Sequence, residues 1–167
     1  DYTADYSEDL EVFRRKTYFK EPLTDFYNYR YLLFLEHHNL LGNSSAHYHI
    51  IKSDFQGLKE FNNKVGYAGA DQLIDEFGKK IYQLVEEYNT KFSLEKEAIM
   101  LFKRGPDFLV YSESGDELLE NLHKDFIGCL DEIRIEYGLK ANIAKSKFQQ
   151  GYSLEKALED LLSHTVS

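Results

Sequence analysis

Asp54 closes a β-branched and aromatic run, Ala46–Phe55 (AHYHIIKSDF). A carboxylate at the end of a strand suits Mg²⁺, which takes one or two hard protein oxygens together with substrate phosphates. A polar series follows at once, with Lys59, Asn62, Asn63 and Asp71. Arg104-Gly105-Pro106-Asp107 then sits between two apolar runs, where a turn would present it. If the strands carrying Asp54 and this turn are neighbours, both lie at one end of a sheet, a place for nucleotide chemistry. Taken alone, exposed turn carboxylates are common and carry no such meaning. His47 and His49 share one strand face, but no third ligand stands near them in sequence, so ordinary packing is the expected role. Cys129 lies on an apolar-rich helix and is expected to be a small buried hydrophobe.

Positioning these groups requires a scaffold, and the hydrophobic spacing outlines one. Ser7–Phe19 and Tyr27–Leu41 carry apolar residues at helical spacing. Ala46–Phe55 is a strand, Leu58–Val65 a short helix closed by Gly66, and Gly69–Tyr88 a long amphipathic helix. Ala98–Lys103 and Phe108–Tyr111 read as a β-hairpin about the Arg104–Asp107 turn. Asp116–Tyr137 is a second long helix stopping at Gly138, Leu139–Lys147 a fourth strand, and Leu154–His164 a closing helix. A hairpin combined with helical crossovers predicts an α+β domain, with helices packed on a central, mostly antiparallel sheet.

Composition narrows the function classes. The 167 residues make about one domain, with 20 Lys plus Arg against 29 Asp plus Glu and a formal charge of −9. A surface that acidic repels phosphate backbones and no basic cluster offsets it, so no nucleic-acid partner is expected. Uninterrupted apolar stretches such as Tyr31–Leu35 fall far short of the roughly 20 residues a membrane helix needs, so no membrane contact is expected. The single cysteine excludes an internal disulfide, and no signal peptide is recognisable; both features predict a cytoplasmic chain. The sequence opens at Asp1 with a charged run, Asp5–Arg15, and reads as a piece of something longer. Residues 1–20 are expected to be a connector helix and 21–167 the domain proper.

The order and spacing of the polar groups resemble the GGDEF domain, the diguanylate cyclase module of bacterial cyclic-di-GMP signalling. The opening pattern Asp-x-Leu-Thr-x-Leu-x-Asn-Arg-Arg is matched by Glu21-Pro22-Leu23-Thr24-Asp25-Phe26-Tyr27-Asn28-Tyr29-Arg30. The metal and nucleotide segment, Asp-x-Asp-x-Phe-Lys-x-x-Asn-Asp-x-x-Gly-His-x-x-Gly-Asp, runs along Asp54–Asp71 without a gap, and the signature falls on Arg104-Gly105-Pro106-Asp107-Phe108. The resemblance implies a nucleotide-cyclase, palm-like topology. It also implies roles: Asp54 as a metal ligand, Lys59 near the terminal phosphates, and Asn62 with Asp71 reading guanine through an amide and a carboxylate. GTP and Mg²⁺ would be the ligands. Active family members pair two GTP-loaded domains face to face, so a homodimer is a further expectation.

The departures are as informative. The second acidic position of the metal segment is Gln56, the histidine position is Tyr67, and the first signature glycine is Arg104. The third signature position, an acidic metal ligand in the family, is Pro106, which offers neither an oxygen ligand nor a backbone donor. Strand alternation argues that Asp107 does not simply take its place. The family's later phosphate-clamping Lys and Arg fall on Thr165 and beyond Ser167, and its product-binding Arg-x-x-Asp falls on Glu95-Lys96-Glu97-Ala98, so product feedback there is not expected. Losing an acidic ligand and the phosphate clamps should cost on the order of 10³-fold or more in rate. No catalytic residue is therefore expected. The reading is a degenerate GGDEF domain that binds GTP as a regulatory module of a larger protein, such as one with a phosphodiesterase domain. Two alternatives stand: a nucleotide-free interaction or dimerisation domain, and a weakly active cyclase joining two GTP.

Overall fold

Helical and strand periodicities combine in a six-stranded sheet flanked by helices on both faces. The computed structural model describes residues 26–38, 41, 46–95 and 97–166. The expected connector helix and the opening motif through Asp25 lie outside these residues. In chain order the elements are β1 (Tyr27–Asn28), α1 (Tyr29–His37), β2 (His47–Phe55), α2 (Leu58–Val65) and α3 (Gly69–Lys91). They continue with β3 (Ile99–Arg104), β4 (Asp107–Ser112), α4 (Asp116–Tyr137), β5 (Ala141–Gln149), α5 (Leu154–Asp160) and β6 (His164–Val166).

The sheet runs β1-β3-β4-β2-β5-β6. All neighbours are antiparallel except β1 and β3, which pair in parallel over two residues. This is the α+β, mostly antiparallel arrangement expected. Side chains alternate between the two faces of each strand, so the sheet separates two cores. Ile51, Phe55, Ile99, Leu101, Phe108, Val110 and Ile143 face α3 and α4. Tyr48, Ile50, Met100, Phe102, Leu109 and Tyr111 face α1 and α5.

Buried positions recur every three or four residues on the long helices: Leu73, Ile74, Phe77, Ile81, Leu84, Val85 and Tyr88 on α3, and Leu119, Leu122, Phe126, Leu130 and Ile133 on α4. Phe77 sits at the centre, edge-on to Phe108 (centroids 4.9 Å apart), Phe55 (5.3 Å) and Phe126 (5.6 Å). On the opposite face, Leu154 N donates to Glu36 Oε2 (2.7 Å), tying α5 to α1.

Several boundaries differ from the periodicity. The first helix spans Tyr29–His37 because Tyr27–Asn28 is drawn into the sheet beside Phe102–Lys103, and the Asn28 side chain caps the helix through Tyr31 N. The closing helix ends at Asp160, and His164–Val166 leaves it to pair with Ala141–Ile143 at the sheet edge. The fourth strand begins at Ala141, two residues later than the apolar pattern suggests, and continues to Gln149.

Candidate functional site

The β3–β4 connection is a two-residue turn. Arg104 and Asp107 are paired across the ladder and Gly105 and Pro106 bridge them. Gly105 has φ +57°, and the proline ring fixes φ of Pro106 on the negative side. This sign pattern is that of a II′ hairpin, which asks for glycine at its first central position. Phe108 turns into the α3/α4 core, so Asp107 turns to the other face.

That face carries a row of polar side chains across the end of the sheet. Ser53 stands opposite Phe108, which sets Asp54 beside Asp107. Asp54 is in turn opposite Asn142, and Asn142 opposite Thr165. The row therefore reads Arg104, Asp107, Asp54, Asn142 and Thr165 over five strands. Asn142 Nδ2 donates to Asp54 Oδ1 (2.8 Å), while its own Oδ1 accepts from Gln56 Nε2 (2.7 Å) and Thr165 Oγ1 (3.0 Å). Gln56, standing at the second acidic position, thus fastens β2 to β5 and β6, donating also to Thr165 Oγ1 (3.1 Å).

Asp107 Oδ2 lies 4.0 Å from Lys52 Nζ, with both side chains largely covered. Burial raises the Asp107 carboxyl above its ordinary value; Lys52 and Arg104 oppose that shift and the neighbouring Asp54 adds to it. From the first turn of α1, Tyr29 leans over the row, with the Arg104 guanidinium 4.9 Å from its ring centroid. Tyr29 Oη is buried without a hydrogen-bond partner among the described residues. Burial, with Asp107 second, pushes this phenol well above the usual tyrosine value.

The strand-alternation argument set Asp107 apart from the metal position. The structure instead places it on the Asp54 face, because Pro106 belongs to the turn and alternation restarts at Asp107. The sequence reading missed Lys52, Asn142 and Tyr29. Lys52 had a legible signal: a lone lysine in an apolar strand, two residues before Asp54 and hence on its face.

The other expected groups gather on α2 and at the start of α3. Lys59 and Asn62, three apart, share one face of α2; Lys59 is exposed and Asn62 half-buried. Asn62 Oδ1 accepts from Ala70 N (2.8 Å), bringing the amide to the residue before Asp71, which is exposed in the first turn of α3. Close approach here requires Gly69, where a Cβ would fall 2.2 Å from Val65 Cγ2. Tyr67 is 96% exposed and outside the cluster. His49 is buried and contacts Asp116 (3.2 Å), away from this end of the sheet, in keeping with ordinary packing.

A divalent ion needs a net negative donor set. Here Asp54 and Asp107 face Lys52 and Arg104, and one Asp54 oxygen is already held by Asn142. No group of three or more His, Cys, Asp or Glu that could hold a metal occurs among the described residues. With Lys52 and Arg104 beside them, Asp54 and Asp107 do not make the net negative donor set that suits Mg²⁺.

A palm-like antiparallel sheet with a polar hairpin end is the architecture of nucleotide-cyclase domains. The family profile described as "Diguanylate cyclase, GGDEF domain" matches residues 19–149, and the chain belongs to that family. The fold is similar to diguanylate cyclase SiaD from Pseudomonas aeruginosa, solved with its activator SiaC (TM-score 0.65, 15% identity, 95% of this chain and 61% of that one). It is similar also to the S helix-GGDEF-EAL portion of Vibrio cholerae LapD bound to c-di-GMP (0.59, 16%, 95% and 35%). A third is the coiled coil and GGDEF domain of Caulobacter crescentus DgcB in complex with c-di-GMP (0.57, 16%, 94% and 86%). The chain thus spans 61% and 35% of the SiaD and LapD chains. No curated protein sequence matches it. GGDEF domains use Mg²⁺ for catalysis and work in cyclic-di-GMP signalling. No helix among the described residues is long and apolar enough to cross a membrane.

Proposed function

We propose that this chain is a catalytically inactive GGDEF domain that binds GTP and serves as a cytoplasmic regulatory module of a larger protein, residues 21–167 forming the domain and 1–20 the connector. A cyclic-di-GMP phosphodiesterase domain is the partner this reading favours; LapD pairs GGDEF with EAL in one chain. The observation that carries the reading is the contrast at the two halves of the site. Lys59, Asn62 and Asp71 are grouped where a purine and its phosphates could lie. The hairpin meanwhile offers Pro106 where an acidic ligand would have to stand, and its surviving carboxylate is paired with Lys52. Phosphoryl transfer depends on neutralising charge as it develops, and these residues supply no oxygen cage for the ions that would do so.

The test is calorimetric titration with GTP. Binding is expected, weakened about tenfold or more in Asp71→Ala, because losing a charged hydrogen bond to a base costs roughly 1.5–3 kcal/mol. No heat at millimolar GTP overturns the reading. A second reading, an interaction domain without nucleotide, is favoured by one contact: the Asn62 acceptor is already spent on Ala70 N. A thermal shift separates the two, since a ligand that prefers the native state raises its melting temperature.

A further inference from the structure

We propose that Lys52 and Arg104 stand in for the divalent cation at the Asp54–Asp107 row, so that this site takes its guanine nucleotide as the metal-free anion. The nucleotide half of the proposal rests on the function proposed above; the metal half rests on the row alone.

Two carboxylates meet there across β2 and β4, and in isolation they would recruit a divalent ion. They are not isolated. Lys52 lies on β2 two residues before Asp54, on the same face, with Nζ 4.0 Å from Asp107 Oδ2. Arg104 is the cross-strand partner of Asp107, and its guanidinium is held over the Tyr29 ring. Two positive charges thus stand beside two negative ones, and the four side chains carry no net charge without any ion. A divalent cation entering it would meet an ammonium and a guanidinium, and would have to displace one or both.

The same cations change what the site offers to phosphate. A triphosphate reaches an ordinary cyclase site carrying its metal, because acidic side chains would otherwise repel it. Here the acidic pair is already neutralised, so the phosphates need no metal to approach. The guanidinium fork, the Lys52 ammonium and the exposed Lys59 can meet phosphate oxygens directly. Tyr29 Oη, buried at the row without a partner among the described residues, is a further neutral donor facing this polar end.

Two measurements test this. Mn²⁺ titration followed by electron paramagnetic resonance reads the metal half without nucleotide. Wild type is expected to bind none in the millimolar range, and the double variant Lys52→Met/Arg104→Gly to bind one ion at least about tenfold more tightly than that limit. Both side chains reach solvent, so the variant is expected to fold, and circular dichroism checks that it does. Uptake of Mn²⁺ by wild type, or none by a folded variant, overturns the metal half. GTP titration in EDTA and in excess Mg²⁺ reads the other half, with wild-type affinities expected to agree within about twofold. Binding only with Mg²⁺ overturns the proposal while leaving GTP recognition intact. Absence of binding in both buffers overturns GTP recognition, and with it the nucleotide half.

Discussion

Asp107 and Phe108 are neighbours on β4, yet they belong to different regimes. Phe108 is 1% exposed and makes edge-on contacts with Phe26 and Phe77. One peptide earlier, Asp107 enters a partly exposed row of charged and amide side chains. The aromatic core holds through close packing, which tolerates few changes of shape. The polar row holds through pairwise charge compensation and hydrogen bonds in a partly wet setting, where each contact is worth little. The difference allows Arg104 and Pro106 to stand at the signature turn while the family fold is kept. The polar row sits at one end of the sheet, outside both packed cores.

The sharpest way to break this division is to attack the core. Phe77→Ala removes the ring that three aromatic side chains pack against and should cost about 3–5 kcal/mol, read as a lowered midpoint in urea. A loss under about 1 kcal/mol would mean that the core is not where stability resides. The polar row should respond more weakly. Asn142→Ala strips Asp54 of a donor and Gln56 and Thr165 of an acceptor, but water reaches these groups. A cost near 1 kcal/mol is expected, together with faster amide exchange in β6, which stands beside β5 at the end of the sheet order. A cost rivalling that of Phe77→Ala would make the row a structural core and dissolve the comparison.

The two regimes also differ in how far sequence exposes them. The long helices are legible because burial on α3 and α4 repeats over many turns, and β2 is legible because Tyr48, Ile50, Ile51 and Phe55 mark it with aromatic and β-branched side chains. Two-residue β1 and three-residue β6 are too short to show any period; pairing with distant partners creates them. The spacing Asp54, Lys59, Asn62, Asp71 is local in sequence and was readable. The Asp54–Asn142–Gln56–Thr165 network was not, because it exists only once β2 has paired with β5 and β5 with β6. Lys52 lies between these cases: its face is fixed by alternation, but its role needs Asp107 brought beside it by the hairpin register.

The smallest expected effect concerns Asp107 itself, and its sign distinguishes burial from ion pairing. Burial raises this carboxyl above the 3.8 of an unfolded aspartate, despite the opposing pull of Lys52. The folded protein therefore holds the proton more tightly than the unfolded chain does. Its contribution to stability is fully present below 3.8 and is lost as pH climbs through the raised value. Asp107→Asn keeps the shape and removes the titration. The melting temperature of the variant minus that of wild type should rise across the window just above pH 3.8 and then level off, leaving the variant at least as stable at neutral pH. Against this stands the lost contact with Lys52, which for a partly covered pair at 4.0 Å is worth about 0–1 kcal/mol. A difference that falls with rising pH would show that Lys52 outweighs burial. The polar row would then be held by its ion pair and would resist change more than its neutral, half-wet character implies.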